Sequence, residues 1–309
     1  MSAKPSMADG TPWFRSLSPS AKAHVLVFLG AFCISFAALF VQGATMDPSM
    51  IAFYRLAFGG GALFLVAVMR GERIVPTKGV LAVMIPAGLF FSGDLLAWHE
   101  SIVRLGPGLA TIVSNFQVLL MAAYGIFFLG EKLSCRHIFA MPLAILGLGM
   151  LIEVNPLRLP PQTLAGLGYG LATALFYTGY LLTVRQSQVR TDHLPPIANM
   201  AWISWLACAG VAVFCLMRGI PFGIPDVRTG AILAALGILC QATGWVLLSL
   251  GLPLLPPSRA GLILLAQPAL SFVWDIVLCG RETGIIGYLG AVTAIFAIWL
   301  GLGAPGRKK

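Results

Sequence analysis

The chain has 309 residues, of which 58 % are hydrophobic and 10 % charged, with a net charge of +9 and a mean hydropathy of +0.90. Soluble domains carry about a quarter charged residues, so this composition excludes an ordinary soluble fold. The basic excess lies in short loops and at the termini rather than along one stripe, which excludes nucleic acid as a partner and points to the lipid bilayer instead.

Residues 1–21 are polar and proline-bearing and lack the apolar core of a cleaved signal, so they are expected to form a cytoplasmic N-terminal segment. Apolar runs of about 20 residues, the length needed to cross a ~30 Å hydrocarbon core, then follow one another. They fall at 22–42, 48–69, 78–103, 107–130 and 136–154, and again at 162–185, 195–217, 227–250, 256–280 and 284–303. Loops between them are short and marked by Asp47-Pro48, Gly106-Pro107, Asn155-Pro156 and Pro195-Pro196. The fold class expected is an all-α polytopic membrane protein with ten transmembrane helices. No room remains for a soluble catalytic domain.

The fourth and ninth spans repeat each other. A shift of 150 residues lays Pro107 on Pro257, Ala110 on Ala260, Gln117 on Gln267, Tyr124 on Trp274 and Gly130 on Gly280. The chain therefore divides into a first five-helix repeat, 22–155, and a second, 156–304, followed by a basic tail at 305–309. With the N-terminus inside, fourteen Lys and Arg fall in cytoplasmic segments and five on the far side, while Arg55 lies within a span. That bias predicts both termini in the cytoplasm. An odd number of spans per half makes the second half enter upside down, so the halves are two inverted repeats, the arrangement from which alternating access is built.

Projected at 100° per residue, several spans gather polar and aromatic groups on one face. The third offers Asp94, Trp98 and Ser101, with Ser92 and His99 roughly opposite. The sixth carries Tyr169, Thr173, Phe176, Tyr177 and Tyr180 within one arc. Gln241, Trp245 and Ser249 align on the eighth, and Gln267, Ser271, Trp274 and Asp275 on the ninth. Each stripe alone is also what helix packing produces, but several together predict an amphipathic interior cavity. The candidate substrate-binding residues are Trp98, His99, Tyr169, Phe176, Tyr177, Tyr180, Gln241, Trp245, Gln267, Ser271 and Trp274. Asp94, Asp275 and Arg55 are the intramembrane charges, either coupling or structural. Gly59-Gly60-Gly61 in the second span, and Gly166 and Gly170 in the sixth, mark close helix approaches.

Other chemistries fail. Gly125 to Lys132 reads GxxxxGEK, with Glu131 where a phosphate-binding loop needs lysine, and it follows a membrane span rather than a strand. The four histidines form no ligand pair and no pair of the six cysteines has metal spacing, so no cofactor or metal is expected. Asp94 and Asp275 do not occupy equivalent repeat positions, which weighs against an intramembrane aspartyl protease, and no enzyme is expected.

The chain resembles the EamA-type members of the drug/metabolite transporter superfamily. The resemblance rests on Phe53-Tyr54-Arg55-Leu56-Ala57, Gly130-Glu131-Lys132-Leu133, Gly168-Tyr169-Gly170-Leu171-Ala172, Gln267-Pro268 and Gly280-Arg281-Glu282-Thr283. It implies a secondary transporter of small molecules in a bacterial inner (plasma) membrane. A branch of the family with aromatic linings exports aromatic amino acids and flat organic cations. The function expected is export of aromatic or bulky hydrophobic amino acids by alternating access, by a monomer. The alternative is another solute, such as a nucleobase or drug-like organic cation.

Overall fold

A computed structural model describes residues 17–151, 163–280 and 284–302. The side chains of 102, 103, 105–109, 111, 112, 151, 275, 279 and 302 are not described. Most of the N-terminal segment, the basic tail and the turns holding Arg158 and Arg281 lie outside this set.

Every regular element among the described residues is a helix. Seven are long and apolar enough to cross a bilayer: Pro19–Gly43, Pro48–Met69, Lys78–Ser101, Thr163–Val189, Pro196–Met217, Val227–Leu254 and Pro257–Leu278. Gln117–Leu129, Cys135–Met150 and Ile285–Gly301 are shorter apolar helices. In chain order these are the first to tenth spans. With no water in the hydrocarbon core, each backbone must satisfy its own polar groups, which is why helices carry the whole fold.

Local chemistry sets where they begin and end. Ser18, Asp47, Thr77 and Asp226 each accept a backbone N–H at a helix start, from Ala21, Ser49, Val80 and Thr229. Gly71, Gly130, Gly219 and Gly280 have φ of 63–66°, the left-handed conformation in which a residue without a β-carbon closes a helix. These four are two repeat pairs. Gly130 and Gly280 follow the fourth and ninth spans, and Gly71 and Gly219 follow the second and seventh. The latter two spans have 22 residues each and end identically in Met-Arg-Gly.

One boundary differs from expectation. Helical backbone continues over Lys78–Ser114, past the Gly106-Pro107 stop. A straight helix would hold Ser101 and Val113 about 18 Å apart at 1.5 Å per residue. Yet a β-carbon on Gly170 would lie 2.9 Å from Val113 Cβ and 3.1 Å from Ser101 Oγ. The chain therefore folds back between them, so third and fourth spans remain separate passes. Breaks interrupt the first span at Phe36, the fourth at Asn115-Phe116 and the ninth at Leu265. The last two coincide under the 150-residue shift.

The second and seventh spans, and the fifth and tenth, meet their counterparts head to tail. Cys208 Sγ donates to the Phe53 carbonyl near the start of the second span, while Trp202 Nε1 donates to the Ile74 carbonyl beyond its end. Gly147 abuts Ala294 and Gly290, while Gly301 abuts Ala140. The third and sixth spans also run antiparallel, with Gly93 against Phe176 and Gly79 against Arg190, and their counterparts, the eighth and first, do the same through Gly244–Ile34 and Gly251–Val27. Exchanging the halves maps this set of contacts onto itself, as two inverted repeats require. Gly88 and Gly237 occupy matching places, one against Leu206 and the other against Phe58.

The ends of the bundle are not alike. At one end Arg73 donates to the carbonyls of Asp192 and His193, Thr77 donates to the Asp192 carboxylate, and Arg190 pairs with it at 2.8 Å. Ser258 donates to Glu131 at the same end. At the other, the corresponding loops share a Thr45–Thr229 hydroxyl contact of 3.3 Å. The hydrogen bonds from Thr77 and Arg190 hold the Asp192 carboxyl below the usual carboxylate range. The latch is therefore fully formed above the ordinary aspartate pKa of about 3.9, and weakens as pH falls through the lowered value.

A β-carbon on Gly237 would stand 2.8 Å from Phe58 Cβ, 2.9 Å from the Gly59 nitrogen and 3.2 Å from the Arg55 carbonyl. Two of these are backbone atoms that cannot swing aside, so Gly237→Ala should cost about 1–3 kcal/mol through overpacking. Gly61, with nothing within 4 Å, should accept alanine without loss. Thermal unfolding of the two variants in detergent compares them directly.

Candidate functional site

The second span opens at Pro48 behind its Asp47 cap and places Arg55 two turns inside an apolar helix. A guanidinium there has no water to bind and must be matched by the protein. Arg55 Nε donates to Gln241 Oε1 at 3.2 Å, and Gln241 Nε2 donates to Ser204 Oγ at 2.9 Å. The chain of bonds runs from the second span through the eighth to the seventh and joins the two halves. Arg55 is 8 % exposed, and Gln241 and Ser204 are fully buried.

Two local features bring Gln241 within reach. Gly59 lets it approach, because a β-carbon there would lie 2.5 Å from Gln241 Cγ. The eighth span also adopts a π-helix over Leu236–Gly244, whose wider turn alters the direction of its side chains. Thr243 Oγ1 donates to the Ile238 carbonyl at 3.0 Å across that turn.

An aromatic wall stands beside Arg55. The guanidinium carbon is 5.8 Å from the centroid of Phe91. Phe91 stacks on Tyr180 at 4.2 Å and 5°, and Trp245 meets both edge-on at 5.3 and 4.5 Å. Tyr177 meets Trp245 edge-on at 6.2 Å. At these separations the rings are in direct contact, so nothing inserts between them. They form one wall rather than an open box. Asp94 lies one turn beyond Phe91 and is 9 % exposed.

The structure thus brings Arg55, Asp94, Tyr177, Tyr180, Gln241 and Trp245 into one neighbourhood. Phe91 and Ser204 join it without having been singled out in the sequence. Asp94's turn-mate Phe91 was findable as its i−3 neighbour, but nothing distinguished it from a lipid-facing phenylalanine. Trp98 packs on His99 at 5.5 Å instead of on the wall. Tyr169 and Phe176 sit further along the sixth span in an open groove of about 370 Å³ with Glu100, Arg104, Phe214 and Arg218. There Arg104 pairs with Glu100 and lies 4.7 Å above the Tyr169 ring.

The ninth-span candidates have a different setting. Ser271 Oγ donates to the Ser35 carbonyl at 2.7 Å and Trp274 Nε1 to Ser35 Oγ at 2.8 Å. Trp274 stacks on Phe36 at 4.7 Å. These side chains clamp the break in the first span, satisfying backbone freed there. Gln267 is half-buried beside the break at Leu265. Asp275 lies on the helix Ala266–Cys279, its side chain outside the described residues.

Gln241→Leu would strip Arg55 of its acceptor and Ser204 of its donor together. Hydrogen bonds to charged groups contribute about 1.5–3 kcal/mol, so the variant should lose that much stability. Adding Ser204→Ala should cost little more, because one network has already been broken. Unfolding measurements on the single and double variants test the coupling.

Comparison with known proteins bears on this geometry. A solved crystal structure of a protein shares 18 % identity and a TM-score of 0.80, covering 93 % of this chain and 99 % of that one, which speaks to fold alone. No curated protein matches. The sequence model of the EamA-like transporter family matches residues 21–152 and again 164–302, one match per repeat. The chain belongs to the EamA-like transporter family within the drug/metabolite transporter superfamily, and is accordingly a multi-pass membrane transporter of small solutes.

Proposed function

We propose that this transporter exports aromatic or bulky hydrophobic amino acids from a bacterial cytoplasm across the inner membrane. Both termini are cytoplasmic in this reading, and transport proceeds by alternating access of the inverted halves. The observation that carries it is the Phe91–Tyr180–Trp245 wall set beside a buried arginine where the halves meet. A bare ion would leave most of such a wall unused, whereas an aromatic solute gains about 0.5–1.5 kcal/mol per ring pair beyond its area burial.

The unequal ends support a direction as well. By the placement of basic residues, the latched end carrying Arg73, Arg190 and Asp192 is cytoplasmic. The open groove with Arg104 and Arg218 then lies on the far side. The structure corresponds in this reading to a state closed toward the cytoplasm, with the site beneath an outer entrance.

The test is transport of tryptophan, phenylalanine and alanine in proteoliposomes by Trp245→Leu and Tyr177→Ala variants matched for membrane abundance. Losing a ring contact should weaken tryptophan and phenylalanine roughly threefold to tenfold and leave alanine nearly unchanged, since ~1.4 kcal/mol is a factor of ten. Equal weakening of all three solutes would return these rings to helix packing.

A further inference from the structure

Arg55 and Asp94 are ionisable side chains of opposite sign buried on adjacent spans, each less than a tenth exposed. Opposite charges buried on neighbouring spans ordinarily pair, because each otherwise keeps its full desolvation cost. Here they do not. Among the described residues Arg55 and Asp94 form no ion pair with each other. Arg55 commits Nε to Gln241, and no described residue bonds its two terminal nitrogens or the Asp94 carboxylate. Two polar atoms of the aromatic wall, Tyr180 Oη and Trp245 Nε1, are also buried with no partner among the described residues. Buried polar groups are ordinarily hydrogen-bonded, and unpartnered ones beside two ionisable side chains suit a polar ligand.

We propose that the charged end of an amino acid bridges Arg55 and Asp94, its carboxylate on the terminal guanidinium nitrogens and its ammonium on the Asp94 carboxylate. The side chain then lies against the Phe91–Tyr180–Trp245 wall. This rests on the transport reading above and adds the zwitterion as the class recognised. Charge arithmetic selects that class. A separated +1 and −1 are both neutralised only by a ligand that carries both signs a few bonds apart. A simple anion would leave Asp94 unpaired, and a simple cation would leave Arg55 so. The planar guanidinium also matches a carboxylate through two parallel hydrogen bonds, which a lysine could not supply.

The test uses counterflow of labelled tryptophan in proteoliposomes holding the full chain. The competitors are unlabelled tryptophan, alanine, tryptamine, which lacks the carboxylate, and indole-3-propionate, which lacks the ammonium. Tryptophan should compete at least tenfold better than either truncated compound. Asp94→Asn should abolish the preference over indole-3-propionate and keep that over tryptamine, while Arg55→Gln should do the reverse. The charge-preserving Asp94→Glu and Arg55→Lys variants should retain both preferences at weaker affinity, which separates lost recognition from lost folding. Equal competition by tryptophan, tryptamine and indole-3-propionate in the unaltered chain would overturn the zwitterion proposal while leaving aromatic transport standing. Counterflow of labelled alanine, run in parallel, with no movement of any indole compound would support it and overturn the aromatic reading. Movement of none of the four would overturn both.

Discussion

A full positive charge inside an apolar helix is the constraint on which the middle of this molecule depends. Arg55 cannot be hydrated within the hydrocarbon layer, so other spans must come to it with acceptors and polarisable rings. Gln241 provides the acceptor, Ser204 holds Gln241, and Phe91 offers its ring face. These contacts require the second and eighth spans to touch through Gly59 and Gly237, because any larger residue would push Gln241 or the opposing backbone away. The same contacts tie residues of the first half to residues of the second. Removing the charge would therefore relax the reason for this close approach.

Symmetry and its violation divide the work between them. Antiparallel pairing of the second with the seventh span, and of the fifth with the tenth, places two inverted halves around a shared interior. A sequence repeat of this kind carries two nearly equivalent arrangements, in which one end or the other is closed. What selects between them is the chemistry that is not repeated. Thr77 and Asp226 cap equivalent helices, but only Thr77 also bonds a loop of the other half, through Asp192. At the opposite end the loops share the Thr45–Thr229 contact and Ser101 donates to the Gly166 carbonyl, so among the described residues the two ends are held by different chemistry.

Much of this was legible in the sequence, because membrane helices are read from apolar length and their turns from proline and glycine. The repeat was visible in Gln117 and Gln267 and in Gly130 and Gly280, and the last two close their helices with the same left-handed residue. Helical projection also grouped Gln241 with Trp245 and Tyr177 with Tyr180, since those pairs share a face whatever lies opposite. What projection could not supply was depth and partner. Tyr169 and Tyr180 lie in one arc, yet one faces an open groove and the other is fully buried. Phe91 carries no polar atom to mark it, and the π-turns of the eighth span have no sequence signature of their own. The Ser271–Trp274 face proved to be polar because the first span breaks at Phe36, an interruption that its apolar sequence does not announce.

The account stands or falls on whether the latched end opens during transport. Thr77 and Asp192 touch through their side chains, so Thr77→Cys with Asp192→Cys, in a chain whose native cysteines are replaced, sets two thiols within bonding reach. Transport should stop when the pair is oxidised to a disulfide and return on reduction, while either single variant keeps working under oxidation. Undiminished transport with the cross-link complete would contradict alternating access through this end.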